Sequence, residues 1–139
     1  SSVERNHVAE PCAVFVGSTA GVFGEANHAD YSAAKAALSG LMLSLKNEIT
    51  RISPLGRVNM VAPGWTVTPM VKDLSANQEA LTRTLQTISL RKIGRSTDVA
   101  NAAVFLSSAT LSGHITGQAI VIAGGMEGRM LYQPSEIGC

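Results

Sequence analysis

Three short apolar runs constrain this chain more than anything else in it. They are Ala13-Val14-Phe15-Val16-Gly17, Val58-Asn59-Met60-Val61-Ala62 and Ala119-Ile120-Val121-Ile122-Ala123, and each stops at a glycine or at Pro-Gly. A run this short and rich in Val and Ile reads as a strand buried on both faces, not as a strand with one wet side. Between the first two lies a proline-free stretch from Ala29 to about Arg51, long enough for a helix. Asp30 or Asn27 is its expected N-cap, and Ile52-Ser53-Pro54 ends it. Strand, long helix, strand is a parallel, right-handed crossover unit. The expected fold class is therefore α/β, with three parallel strands and flanking helices.

The remaining segments fill in around that unit. Gly94-Arg95-Ser96-Thr97-Asp98 reads as a helix start, with Ser96 or Thr97 as the cap and Asp98 favourable to the helix dipole. Val99, Ala102, Ala103 and Leu106 follow at helical spacing. From Trp65 to Lys92 a thin apolar stripe of Leu74, Leu81, Leu85 and Ile88 predicts one or two amphipathic helices. Residues Ser1 to Pro11 read as the tail of a helix plus a loop, and Met126 to Cys139 form a tail without a period.

Composition excludes several function classes. Of the 139 residues 45% are hydrophobic and only 15% charged, which is the balance of a core-rich globular chain. A net charge of +1 without a basic run leaves no electrostatic footprint for nucleic acid. No apolar run approaches the roughly 18 residues of a membrane span. Cys12 and Cys139 stand alone, so neither a disulfide framework nor a metal cluster is expected. Isolated thiols fit a reducing compartment, and a cytoplasmic location is expected. The chain starts at Ser1 and not at Met, so an earlier segment is expected to be missing.

The chemistry-bearing residues gather near the first strand. Tyr31 and Lys35 are four apart in an alanine-rich helical segment, so they lie one above the other on one helix face. Ser18 follows the first strand directly, and a strand end with the next helix can bring all three to one rim. A phenol titrates at about 10, and a neighbouring ammonium favours its ionised form. Reaching about 7 takes roughly 4 kcal/mol of differential stabilisation, at about 1.4 kcal/mol per unit. A desolvated lysine helped by a cationic cofactor ring is a plausible source. Such a phenol can give a proton to a carbonyl oxygen or take one from an alcohol.

Ser18, then Tyr31-Ser32-Ala33-Ala34-Lys35, resembles the active-site segment of the short-chain dehydrogenase/reductase family. Other landmarks follow in that family's order. Asn59-Met60-Val61-Ala62-Pro63-Gly64 resembles its Asn-x-x-x-Pro-Gly, and Arg91-Lys92-Ile93-Gly94-Arg95 resembles the approach to a capped helix. Ile115-Thr116-Gly117-Gln118 and Gly124-Gly125 resemble the ending of the classical branch, with its 3-oxoacyl-ACP reductase-like members. Ala123 stands where that branch usually has Asp.

The resemblance implies a doubly wound Rossmann-like parallel sheet, of which residues 1–139 are roughly the C-terminal half. The cofactor fingerprint and the residue that chooses NADP or NAD would lie outside the chain. It implies an NAD(P)-dependent oxidoreductase acting on a small-molecule carbonyl/alcohol substrate. Ser18, Tyr31 and Lys35 are then catalytic, with Ser18 holding the reacting oxygen. Tyr31, Lys35, Pro63, Gly64, Thr66 and Thr68 touch the cofactor, the last two beside the nicotinamide carboxamide. Trp65, Val67 and Met70 form an apolar substrate wall or pack the amphipathic segment onto the sheet. Residues 70–92 are the expected substrate lid and 126–139 the C-terminal tail. A homo-oligomer, dimer or tetramer, is implied, and part of the Ala29–Arg51 helix with its many leucines suits a subunit interface.

Three readings compete with parts of this one. Gly17, Gly21 and Gly24 mimic a phosphate-binding loop, but no acidic residue ends a second strand about twenty positions on, as that fingerprint requires. They are expected to let the chain turn sharply beside cofactor and substrate. His28 either lines the substrate cleft or is a solvated loop residue, and His7 and His114 read as surface residues. Finally, three strands alone leave Ala13–Gly17 as an exposed apolar edge. That fits either a piece of a full-length enzyme or a truncated, non-catalytic family member acting only by association with a partner subunit.

Overall fold

The computed structural model describes residues 10–67 and 78–128. Strand β1 (Cys12–Val16) runs into a short helix α1 (Thr19–Phe23), then the long helix α2 (Ala29–Ile52) and strand β2 (Arg57–Pro63). A two-residue strand β3 (Thr66–Val67) precedes helix α3 (Gln78–Gln86) and a second two-residue strand, β4 (Gly94–Arg95). Helices α4 (Ser96–Ser107) and α5 (Ala109–Ser112) and strand β5 (Ala119–Ile122) complete the order. The main sheet has the order β1-β2-β5, parallel throughout, with Ala13 opposite Val58 and Met60 opposite Ala119. Strands β3 and β4 form a separate parallel pair.

Strand period 2 sorts β2 between two faces. Val58 and Met60 point to one side, where Met42 of α2 joins them in the core with Phe15, Leu38 and Ile49 packed around. Arg57, Asn59 and Val61 point to the other side, towards α4 and the segment before β5. With helices on both faces, every residue from Arg57 to Ala62 is buried.

The outer strands differ from expectation. Both β1 and β5 were expected to be buried on both faces; β1 is half-covered and β5 alternates between exposed and half-buried. The order of strands explains this, since only the central strand has neighbours on both sides. Val16, at the end of β1, is 56% exposed. Peptide groups of a parallel strand alternate between its two neighbours. Pro11 and Gly17 bond to β2, so the groups of Cys12, Val14 and Val16 face the open edge. That is the exposed edge expected from the strand count.

Both expected helix caps are wrong in detail. The residue preceding α2 is His28, which makes no side-chain capping bond, and Asn27 instead adopts a left-handed turn conformation with φ of 65°. For α4 the cap position falls on Arg95, whose N–H donates to the Asp98 carboxylate at 2.7 Å. Ser96, expected there, donates instead to the Val67 carbonyl at 3.2 Å. The β3–β4 pair draws the chain in before the helix begins, which shifts the start.

The 115–118 segment and β2, quoted separately as landmarks, are joined. Asn59 is fully buried and donates to the Ile115 carbonyl at 2.9 Å while accepting from the Gln118 N–H at 3.1 Å. Thr116 Oγ1 accepts from the Val58 N–H at 3.1 Å. These bonds set the register in which β5 meets β2.

Candidate active site

Ser18, Tyr31, Lys35, Pro63, Gly64, Trp65 and Thr66 line one cavity of about 460 Å³ beyond the C-terminal ends of β1 and β2. Parallel sheets bind ligands at that end, and the volume lies within the range of small-molecule sites. Thr68 and Met70, the other two expected site residues, lie outside the described residues, as does the first part of the 70–92 segment. Val67 is exposed and is not part of this wall.

Each side chain is positioned by a local feature of the sequence. Ser18 is the N-cap of α1 and its Oγ accepts from the Ala20 N–H at 3.1 Å. A hydroxyl has two acceptor lone pairs and one donor, so capping leaves its hydrogen free to serve the cavity. Tyr31 stands in the first turn of α2 and is 44% exposed. One turn later, the Lys35 ammonium donates to the Val16 carbonyl at 3.0 Å and sits 5.6 Å from the centre of the Tyr31 ring. The open-edge carbonyl of β1 thereby holds the ammonium beside the phenol.

Gly21 makes the assembly possible. A Cβ there would lie 2.6 Å from the Lys35 carbonyl carbon and 2.8 Å from the Ala36 nitrogen. Only glycine lets α1 approach α2 at the turn that carries Lys35, and this is a close-packing role more than the sharp turn expected of it. Gly64 is similarly close, with its absent Cβ falling 2.8 Å from the Ala123 Cβ.

Several participants had a weak signal or none. The Val16 carbonyl is main chain and carries no residue-type signature. Helix α1 was not expected, although a serine at a strand end is a common N-cap. Glu25, Ser96 and Val99 also line the cavity, and nothing in the local pattern marks them. Strands β3 and β4 are two residues each, too short for a periodic signal. They brace the cavity wall through the Gly94 N–H, which donates to the Trp65 carbonyl at 2.9 Å. His28 is exposed, its Nδ1 lies 3.1 Å from the Ala26 carbonyl, and it is not on the cavity wall.

A family model described as Enoyl-(Acyl carrier protein) reductase matches residues 4–127. The structure is similar to a short-chain type dehydrogenase/reductase from Mycobacterium ulcerans, with a TM-score of 0.79 and 28% identity over 86% of this chain. The chain belongs to the short-chain dehydrogenase/reductase family. It is also similar to a 3-oxoacyl-[acyl-carrier protein] reductase structure from Brucella melitensis, with a TM-score of 0.73 and 31% identity over 83% of the chain. Among curated sequences it is 40% identical over 114 residues to 3-oxoacyl-[acyl-carrier-protein] reductase of Bos taurus. It is 37% identical over 113 residues to the reductase of that name from Escherichia coli (strain K12). The chain covers 44% of the length of both curated relatives, and 42% and 41% of the two structures. No helix among the described residues is long and apolar enough to cross a membrane.

Proposed function

We propose that this chain carries the acid/base half of an NAD(P)-dependent oxidoreductase site that interconverts a small carbonyl compound and its alcohol. One observation carries the proposal: a hydroxyl, a phenol and a tethered ammonium face one cavity at the C-terminal end of a parallel sheet. The bound nicotinamide supplies or accepts the hydride. Pro63, Gly64 and Thr66 suit the flat carboxamide end of such a ring, because Pro63 with Gly64 makes a rigid turn at the wall. NADP and NAD remain equal candidates, since nothing in this wall touches the part of the molecule that differs between them.

The steps assigned to the chain's own residues are few. The Ser18 hydroxyl, with an acceptor side already committed to Ala20, donates to the substrate oxygen and fixes its position. Tyr31 transfers the proton to or from that oxygen. Lys35 holds its ammonium beside the Tyr31 ring, where the bond to the Val16 carbonyl keeps it in place. Residues 70–92 are assigned as the lid and Trp65 and Met70 as the substrate wall. A dimer or tetramer would use part of α2, where Leu41 and Leu43 are half-exposed on different faces of the helix. A cytoplasmic location goes with this reading.

The family description names an enoyl reductase, whose substrate is a carbon–carbon double bond, whereas the relatives are named for 3-oxoacyl substrates. The carbonyl reading is preferred because a serine and a tyrosine hydroxyl line the same cavity, which suits a substrate oxygen. The test is Tyr31→Phe in the intact protein. Turnover of a ketone should fall about 100- to 10,000-fold, the usual contribution of a general acid, with dinucleotide binding retained. Near-normal turnover would overturn the proposal. Tight binding of NADPH or NADH by the 139-residue chain alone would show that the dinucleotide needs no further segment.

A further inference from the structure

Ser18 is carried by a helix that cannot hold its own place. Helix α1 spans only Thr19–Phe23, and a helix of five residues is not stable in isolation. Its start is tied to the sheet by the Gly17 N–H, which donates to the Val61 carbonyl at 2.8 Å, and its flank rests on α2 at Gly21. Its far end meets a third element. Gly128, in the segment expected as a C-terminal tail, lies against Phe23: a Cβ at Gly128 would fall on the Phe23 Cβ and 2.7 Å from the Phe23 Cγ.

Neither side of that contact yields easily. The Phe23 Cβ is fixed by the backbone of α1, so only a shift of the helix could move it. The loop after β5 is held in turn. The Gly124 carbonyl accepts from the Leu90 N–H at 2.9 Å, the Gly125 carbonyl from the Ser89 hydroxyl at 3.2 Å, and the Ala123 carbonyl from the Met126 N–H at 3.2 Å. Gly128 itself has a φ of 71°, which glycine adopts freely. The loop is thus a fixed stop for the end of α1. Turning α1 about Gly17 would carry the Ala20 N–H with it, and that N–H holds the Ser18 Oγ at 3.1 Å. The contact at Phe23 therefore bears on where the Ser18 hydroxyl sits.

We infer that Gly128 is a positioning residue for the reaction, holding the Ser18 hydroxyl in place through Phe23 and α1. The inference rests on the oxidoreductase reading above and adds the loop after β5 to its machinery. The experiment measures single-turnover hydride transfer to ethyl acetoacetate, from NADPH and from NADH, in the intact protein. Gly128→Asn adds a Cβ while tolerating positive φ. Phe23→Ala removes the contact from the other side, at a half-exposed position where the fold should survive. Each should slow transfer about 10- to 100-fold, the scale of a displacement of about 1 Å at a reacting group, with dinucleotide affinity nearly constant. In a Ser18→Ala background each should slow it less than about twofold further, because substitutions that act through one group are not additive. Unchanged rates in the folded variants, or equal fold losses in both backgrounds, would overturn the inference alone. A wild type that reduces the ketone with neither dinucleotide, or a Ser18→Ala protein as fast as the wild type, would overturn the underlying reading and the inference with it.

Discussion

The Lys35 ammonium donates to the main-chain carbonyl of Val16 at 3.0 Å, so the helix that carries Tyr31 is tied to the open end of the edge strand β1. This bond joins a side chain that the sequence marks to an atom that it does not. It also gives Lys35 a second task besides its charge, since it fixes where the first turns of α2 sit relative to the sheet.

Replacing Lys35 should separate those tasks. Lys35→Met removes both charge and donor, and turnover should fall about a hundredfold or more, the scale of losing one preorganised electrostatic group. Lys35→Arg keeps a cationic donor but changes its reach and shape, so it should recover part of the loss. Steady-state kinetics on the intact protein check this. Equal activity in the wild type and Lys35→Met would show that the tether has no bearing on the reaction.

Gly21→Ala tests the contact between α1 and α2. The new methyl would fall within 3 Å of the Lys35 main chain, which cannot move as a flexible side chain can. The expected cost is about 1–3 kcal/mol of stability, typical of overpacking. Because the strain lies between Ser18 and Lys35, turnover should drop even where the variant is fully folded. Denaturant unfolding and kinetics at low temperature measure the two effects separately.

Arg57 makes a prediction about stability alone. The residue is 4% exposed, and its guanidinium donates to the carbonyls of Leu106 at 2.8 Å, Ser112 at 3.0 Å, Ser107 at 3.3 Å and Ile115 at 3.4 Å. Leu106 and Ser107 end α4 and Ser112 ends α5, so the cation satisfies orphan carbonyls where the helix dipoles favour positive charge. Arg57→Met would leave them unpaired and should cost roughly 2–4 kcal/mol, since bonds to charged groups are worth more than neutral ones. The midpoint of urea unfolding should fall accordingly. Arg57→Lys, with three donors in place of five, should lie between the two.

Asn59→Leu removes two buried hydrogen bonds while keeping similar bulk. The Ile115 carbonyl and the Gln118 N–H lose their partner, for an expected cost of roughly 2–3 kcal/mol. Hydrogen exchange should then quicken first at β5, whose register depends on this side chain. Uniform loss of protection across the sheet would contradict that role.

Much of the fold was legible because local pattern and burial agree where a segment is central. Residues Val58–Ala62 read as a buried strand and are buried, and the span from Ala29 to Arg51 reads as a helix and is one. Val99, Ala102, Ala103 and Leu106 face inward as their spacing requires. Pattern was less informative at the edges. β5 has the apolar composition of a buried strand, yet half its residues face outward, because burial depends on what lies beside a strand as well as on its residues.

By itself the sequence determined the family and the type of the main elements. Helical geometry alone puts Tyr31 and Lys35 on one face, and the apolar runs with long crossovers between them dictate a parallel sheet. Only the tertiary structure decided which groups complete the site. The Val16 carbonyl and the β3–β4 brace behind Trp65 come to the site only through the packing of separate segments. A main-chain atom or a two-residue strand has no periodicity to announce it, so its place becomes visible only once the chain has been brought together around it.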